Sequence, residues 1–189
     1  MTEANVYLCP CCDKAIAPGT TVCPQCNQPV TVSSSSLAGM EMPLVNKYLK
    51  GYSKALAADP SNQETAGYAA MCFLKMRLYD KAMPLFEKAI DNNYDSAEPY
   101  FMAAICLLRG KKPFLAQRAD IDKAVEYLNA ADMIEPKAIH HYLLAYIKED
   151  YFDRKYLNIS PTAQEEHGQA AALGLTPEDE ATLHALLNV

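Results

Sequence analysis

Five of the seven cysteines lie within the first 26 residues, and four of those form two matching steps, Cys9-x-x-Cys12 and Cys23-x-x-Cys26. A Cys-x-x-Cys step lets two thiolates of one tight turn point at a single ion, and two such turns face to face complete a tetrahedron of sulfur. Deprotonated sulfur suits Zn(II), and a stretch this short has no hydrophobic core to order it by other means. The chemistry expected of Cys9, Cys12, Cys23 and Cys26 is therefore coordination of a structural Zn(II). Cys11 is a fifth thiol within reach, which leaves a Cys9-x-Cys11 register open; Cys12 is preferred because it makes the two pairs match. Iron or a disulfide cluster are the other fates of such thiols. The chain start, Met-Thr-Glu-Ala-Asn-Val-Tyr, has neither a basic n-region nor an apolar h-region, so a cytoplasmic chain with reduced thiols is expected.

The two segments, Cys9-Pro-Cys-Cys12-Asp-Lys and Cys23-Pro-Gln-Cys26-Asn-Gln, resemble the knuckles of short zinc ribbons of the rubredoxin-like type, which read Cys-Pro-x-Cys-Gly or a variant. Asp13 and Asn27 stand where glycine is usual, and both tolerate the left-handed backbone that the turn requires. The loop between the pairs, residues 13–22, is shorter than in rubredoxins, which counts against electron transfer.

A net charge of −6 argues against nucleic acid or anionic lipid as the main partner. The ribbon itself carries Glu3, Asp13 and only Lys14, whereas phosphate neutralisation needs several Lys or Arg. No apolar run approaches the roughly 20 residues that span a membrane. The 189 residues suit one ordinary domain plus a small module. The expected division is a zinc ribbon over residues 1–32, a flexible serine-rich link over 33–42 that tethers it, and a helical domain over 43–189.

The helical region repeats. Tyr52-Ser-Lys-Ala55-Leu56 recurs 34 residues later as Phe86-Glu-Lys-Ala89-Ile90, and again 42 residues beyond as Leu128-Asn-Ala-Ala131-Asp132. Pro60, Tyr94 and Pro136 follow the anchor alanines at a constant distance of five. Small Ala69-Ala70 and Ala103-Ala104 pairs sit at the same place in successive periods, with Phe73, Tyr79, Ala82 and Tyr100, Ala124 around them. This pattern resembles the tetratricopeptide repeat, with repeats over about 63–96 and 97–136, a degenerate one over 137–160 and capping helices over 161–188. The resemblance implies an all-α solenoid of antiparallel helix pairs. Small residues where helices must approach closely give the same reading on packing grounds. Eight helices are expected, the first opened by Pro43 at N1, a third helix A over 137–150, and the last two over 161–173 and 177–188. Ser160-Pro161 and Thr176-Pro177 read as N-caps followed by proline, and Gly174 as a helix stop. Pro84 falls inside a helix B, which must start late or bend there.

Transferred from that resemblance, the concave face carries Glu64, Gly67, Tyr68, Met71, Leu74 and Lys75, then Glu98, Phe101, Met102, Ile105 and Arg109. A third set is Ala138, His141, Tyr142, Ala145 and Lys148. Of these, Tyr68, Met71, Lys75, Phe101, Met102, Ile105, Arg109 and His141 are the residues expected to hold a partner. They offer aromatic and methionine surface suited to an amphipathic helix or apolar peptide. The alternative is that the chain's own last helix covers them. Residues 110–118 form an insertion whose Lys111 and Lys112, with Arg109 and Arg118, make the one basic cluster.

Catalytic arrangements are not evident. Cys72 and Cys106 occupy the same repeat position and read as small buried hydrophobes; His140 and His141 diverge by about 100° on a helix. His167 and His184 stand isolated, and the acid pairs Glu165-Glu166 and Glu178-Asp179 read as solvated first-turn charges. The expected function is a non-enzymatic adaptor: a solenoid binding a protein or peptide partner, the zinc ribbon giving a second contact, with homodimerisation open. The alternative is a redox or metal-responsive protein that uses iron or Cys11.

Overall fold

Two short hairpins, each ending in a cysteine turn, begin the chain. In the computed structural model, which describes residues 7–91 and 95–187, strand β1 (Tyr7–Leu8) pairs antiparallel with β2 (Ala15–Ile16), Leu8 opposite Ala15. An isolated bridge between Val22 and Pro29 closes the second turn.

Apolar residues at helical spacing then give nine α-helices among the described residues, with irregular helical turns between some of them. Helix α1 is Ser34–Ala38 and α2 is Met42–Ala58. Helices α3 (Gln63–Lys75) and α4 (Tyr79–Ile90) form one pair, α5 (Glu98–Leu108) and α6 (Arg118–Ile134) the next. Helix α7 (Ala138–Ile147) pairs with α8 (Ala163–Ala172), and α9 is Pro177–Leu187. Each helix from α2 to α8 packs on its predecessor, which makes an all-α solenoid of tetratricopeptide type. The repeat anchors Ala69, Ala70, Ala82, Phe86, Ala89, Ala103, Ala104, Ala124, Leu128 and Ala131 are all buried. Alanine at these positions lets the helices approach closely while larger neighbours fill the layer. Tyr94 lies outside the described residues, as does the last residue expected in the final helix.

Several expectations are corrected. The ninth helix is α1, within the segment read as a flexible link. The Ser33 hydroxyl accepts from the Ser36 N–H and the Ser36 hydroxyl accepts from the Ser33 N–H, a reciprocal cap. Serine is a good N-cap, and Val32, Leu37 and Met40 between the serines bury themselves. Helix α4 does not start late at Pro84: it runs from Tyr79, with the proline on its exposed face, where water can take the hydrogen bond the ring forgoes. Pro43 is one residue inside α2, which begins at Met42. The cap of α8 is Thr162 rather than Ser160, because Thr162 and Glu165 satisfy each other's backbone N–H groups. Thr176 and Asp179 cap α9 in the same way. Helix α7 stops at Ile147 and passes into a π-helical turn, Lys148–Phe152. The solenoid therefore finds its third helix B in α8, beyond an irregular stretch.

Candidate metal centre and the covered concave face

The cysteine turns are near copies of each other. In the first, the Cys9 N–H donates to the Lys14 carbonyl and the Asp13 N–H donates back to Cys9; in the second, Cys23 to Gln28 and Asn27 to Cys23 repeat the pattern. Asp13 and Asn27 are left-handed, at φ 58° and 54°. That bend aims backbone N–H groups inward, those of Cys11 and Cys12 at the Cys9 sulfur and those of Gln25 and Cys26 at the Cys23 sulfur. Burial pushes the Cys9 thiol up to about 12, while the N–H groups, Cys26's foremost, draw Cys23 down to about 7.

The four Sγ atoms of Cys9, Cys12, Cys23 and Cys26 all lie within 4.8 Å of one another. Cys9 and Cys26 are 3.8 Å apart, and Cys12 and Cys23 are 3.7 Å apart. A tetrahedron with Zn–S bonds of about 2.3 Å has edges of about 3.8 Å, so the donor set fits one tetrahedral ion. Cys11 stands outside this cluster and packs, half-buried, against the helical core.

The ribbon is seated on helix α2. The Tyr48 hydroxyl donates to the Pro29 carbonyl, and the Tyr52 hydroxyl donates to that of Val30 at 2.9 Å. Gly51 lies directly under Pro10, where any Cβ would overlap the Pro10 carbonyl. Lys54 and Asp13 add an exposed ion pair at 3.5 Å.

The face expected to hold a partner is largely closed by the chain itself. Met71, Phe101, Met102 and Ile105 are no more than 2% exposed. Helix α1 packs on α3 and α9, and α9 packs on α5 and α7. Both ends of α1 are held: the Ser34 N–H donates to Glu98 Oε1 at 2.5 Å, and Lys75 Nζ donates to the Ala38 carbonyl at 2.7 Å. A carboxylate at the N-terminus and an ammonium at the C-terminus complement the orphan backbone groups and dipole of that helix. Tyr68 stays half-exposed, its hydroxyl donating to Glu64. Arg109 is exposed but paired with Asp80 at 2.8 Å. Arg118 pairs with Asp122, so two of the four cations in the basic cluster face the chain's own carboxylates. The insertion folds down as a short 3-10 turn, with the Phe114 N–H donating to Asp150 and the Arg154 guanidinium stacked 4.2 Å from the Phe114 ring.

His141 is not on an open face. Its Nδ1 lies 2.6 Å from Glu166 Oε2 and its Nε2 lies 3.2 Å from Asp132 Oδ1. Glu166 also accepts from Lys148 Nζ. Lys148 and Glu166 are 2% and 3% exposed, so Glu166 is no solvated first-turn charge and solutes do not reach the pair. The cluster ties α6, α7 and α8 together. Its signal was present in the sequence: Ala163, Glu166 and Ala170 recur at helical spacing, and both alanines are buried. Neighbouring His140 is also buried, with burial lowering its pKa to about 4 and its ring 5.3 Å from Phe101. Cys72 and Cys106 are buried as expected, and burial pushes both thiols up to about 12.

No protein-family model and no curated protein matches the chain. Among solved structures, one described as MamA MSR-1 C2 is similar over 75% of this chain and 67% of its own, with 18% identity and a TM-score of 0.46. A crystal structure of MamA is similar over 76% of this chain and 69% of its own, with 19% identity and a TM-score of 0.49. Among the described residues, no helix is long and apolar enough to cross a membrane.

Proposed function

We propose that this chain is a non-enzymatic protein-interaction module whose N-terminal ribbon is held by a structural Zn(II) on Cys9, Cys12, Cys23 and Cys26. The observation that carries the metal assignment is the sulfur spacing, 3.7 and 3.8 Å, against the edge of about 3.8 Å that a zinc–thiolate tetrahedron has. When bound, the ion would supply the positive charge that keeps four buried or half-buried thiols deprotonated, and so would supply much of the ribbon's folding free energy. A closed four-sulfur set leaves no ligand position for a substrate. The most buried ionisable groups, Lys148 and Glu166, are spent on each other within the helix packing, which suits a scaffold better than a catalyst.

The protein partner would then be met by surfaces the solenoid leaves open, with the ribbon as one wall. Reduced thiols place such a protein in a reducing compartment such as the cytoplasm. Metal analysis of natively purified protein tests the first half: one zinc per chain and no visible absorption are expected, and an iron chromophore would overturn it in favour of electron transfer. Affinity capture with the intact chain tests the second half. Recovery of no specific protein, beside a mass that shows no self-association, would remove the adaptor reading.

A further inference from the structure

The ribbon and the solenoid enclose a cleft that neither has alone. Its volume is about 420 Å³, and it runs between the first knuckle and the outer parts of α2 and α3. The floor is low because Gly51, Ala55 and Ala58 carry little or no side chain, and Leu8, 44% exposed, and Tyr68 supply apolar walls. The Thr31, Glu64 and Tyr68 side of the cleft is shared with a second cavity of about 520 Å³, which continues past Met71 and Pro99 toward Lys137. The two make one elongated trench.

Its charge is one-sided. Asp13, Asp59, Glu64, Asp95, Glu98 and Glu135 line the trench, against Lys54 and Lys137 alone. Both lysines already lie beside a carboxylate, Lys54 at 3.5 Å from Asp13 and Lys137 at 2.8 Å from Glu135. An apolar floor with acidic rims repels nucleic acid and acidic peptides and attracts cationic chain. Its elongated form suits an extended segment, whose side chains alternate between floor and rim.

We propose that this trench between ribbon and solenoid binds an extended basic segment of a protein partner, with aliphatic side chains over Ala55 and Ala58 and Lys or Arg side chains at Asp59 and Glu64. The proposal rests on the adaptor reading and names its surface. It also gives the ribbon a purpose beyond its own fold, because without the knuckle against Gly51 the trench loses a wall.

The test uses the full, zinc-loaded chain and fluorescence anisotropy with a labelled pool of short peptides alternating Lys or Arg with Leu or Val, beside an acidic pool with Asp or Glu in the basic positions. The basic pool is expected to bind about tenfold more tightly or better, and to weaken as salt is raised. Ala55→Arg fills the trench from an exposed helix position and is expected to cost about tenfold in affinity; Asp59→Asn with Glu64→Gln should cost several-fold without touching a buried group. Equal binding of the two pools, or binding unchanged by Ala55→Arg, overturns the proposal. Concentration-dependent self-association abolished by Ala55→Arg also overturns it, by giving the trench to a second copy. Specific capture of a protein that persists in the Ala55→Arg chain leaves the adaptor reading standing while this surface fails. No specific capture by either chain removes both.

Discussion

The two ends of the interaction surface are built in opposite ways. In the cysteine ribbon, every residue that matters lies within 18 positions of the others, Cys9 to Cys26, and one ion suffices to organise them. On the concave face, contacts join residues far apart in sequence: Ser34 with Glu98, Ala38 with Lys75, His141 with Glu166. Short loops closed by coordination form at little entropic cost, whereas long-range closure must be offset by burial and paired charge. The ribbon should thus answer to metal, and the covered face to packing.

The largest expected effect tests that separation. Cys23→Ser should abolish stoichiometric zinc and melt residues 7–32, a loss on the order of 10 kcal/mol of metal-linked folding energy, while the helical circular dichroism persists. Cooperative loss of the helices as well would show that ribbon and solenoid are one folding unit. Glu166→Ala addresses the other side. It leaves Lys148 buried without its carboxylate and should cost about 3–5 kcal/mol in denaturant unfolding, with metal content unchanged. Leu37→Ala removes a fully buried side chain from α1 and should cost about 2–4 kcal/mol, with faster amide exchange over residues 33–40.

Acid provides a graded probe of the same face. Burial lowers His140 to about 4, below its ordinary 6.5, so the unfolded chain binds a proton there before the folded one does. Its contribution to stability is intact above about pH 6.5 and falls as pH drops toward 4, by up to about 3 kcal/mol. His140→Phe should flatten that part of the stability–pH curve; an unchanged slope would assign it to other groups. The smallest change is expected at the seam between the regions: Lys54→Ala breaks an exposed ion pair and should alter stability by less than about 1 kcal/mol. A larger loss would show that the ribbon is docked mainly by charge rather than by Tyr48, Tyr52 and the Gly51 contact.

What the sequence determined by itself was local. The cysteine spacing and the Asp13 and Asn27 turns follow from the geometry of a few consecutive residues, as do the alanine anchors of each helix pair and the Thr176 cap. Tertiary structure decided what composition misstates. A serine-rich stretch looks flexible until Val32, Leu37 and Met40 find an apolar groove whose Glu98 and Lys75 fit the two ends of a short helix. Glu166 looks solvated until α8 turns its face toward Lys148 and His141. The concave residues were legible as a face, but not as a covered one. What covers a surface depends on which distant segment returns to it, and that is set by the summed packing of the whole chain rather than by any one spacing within it.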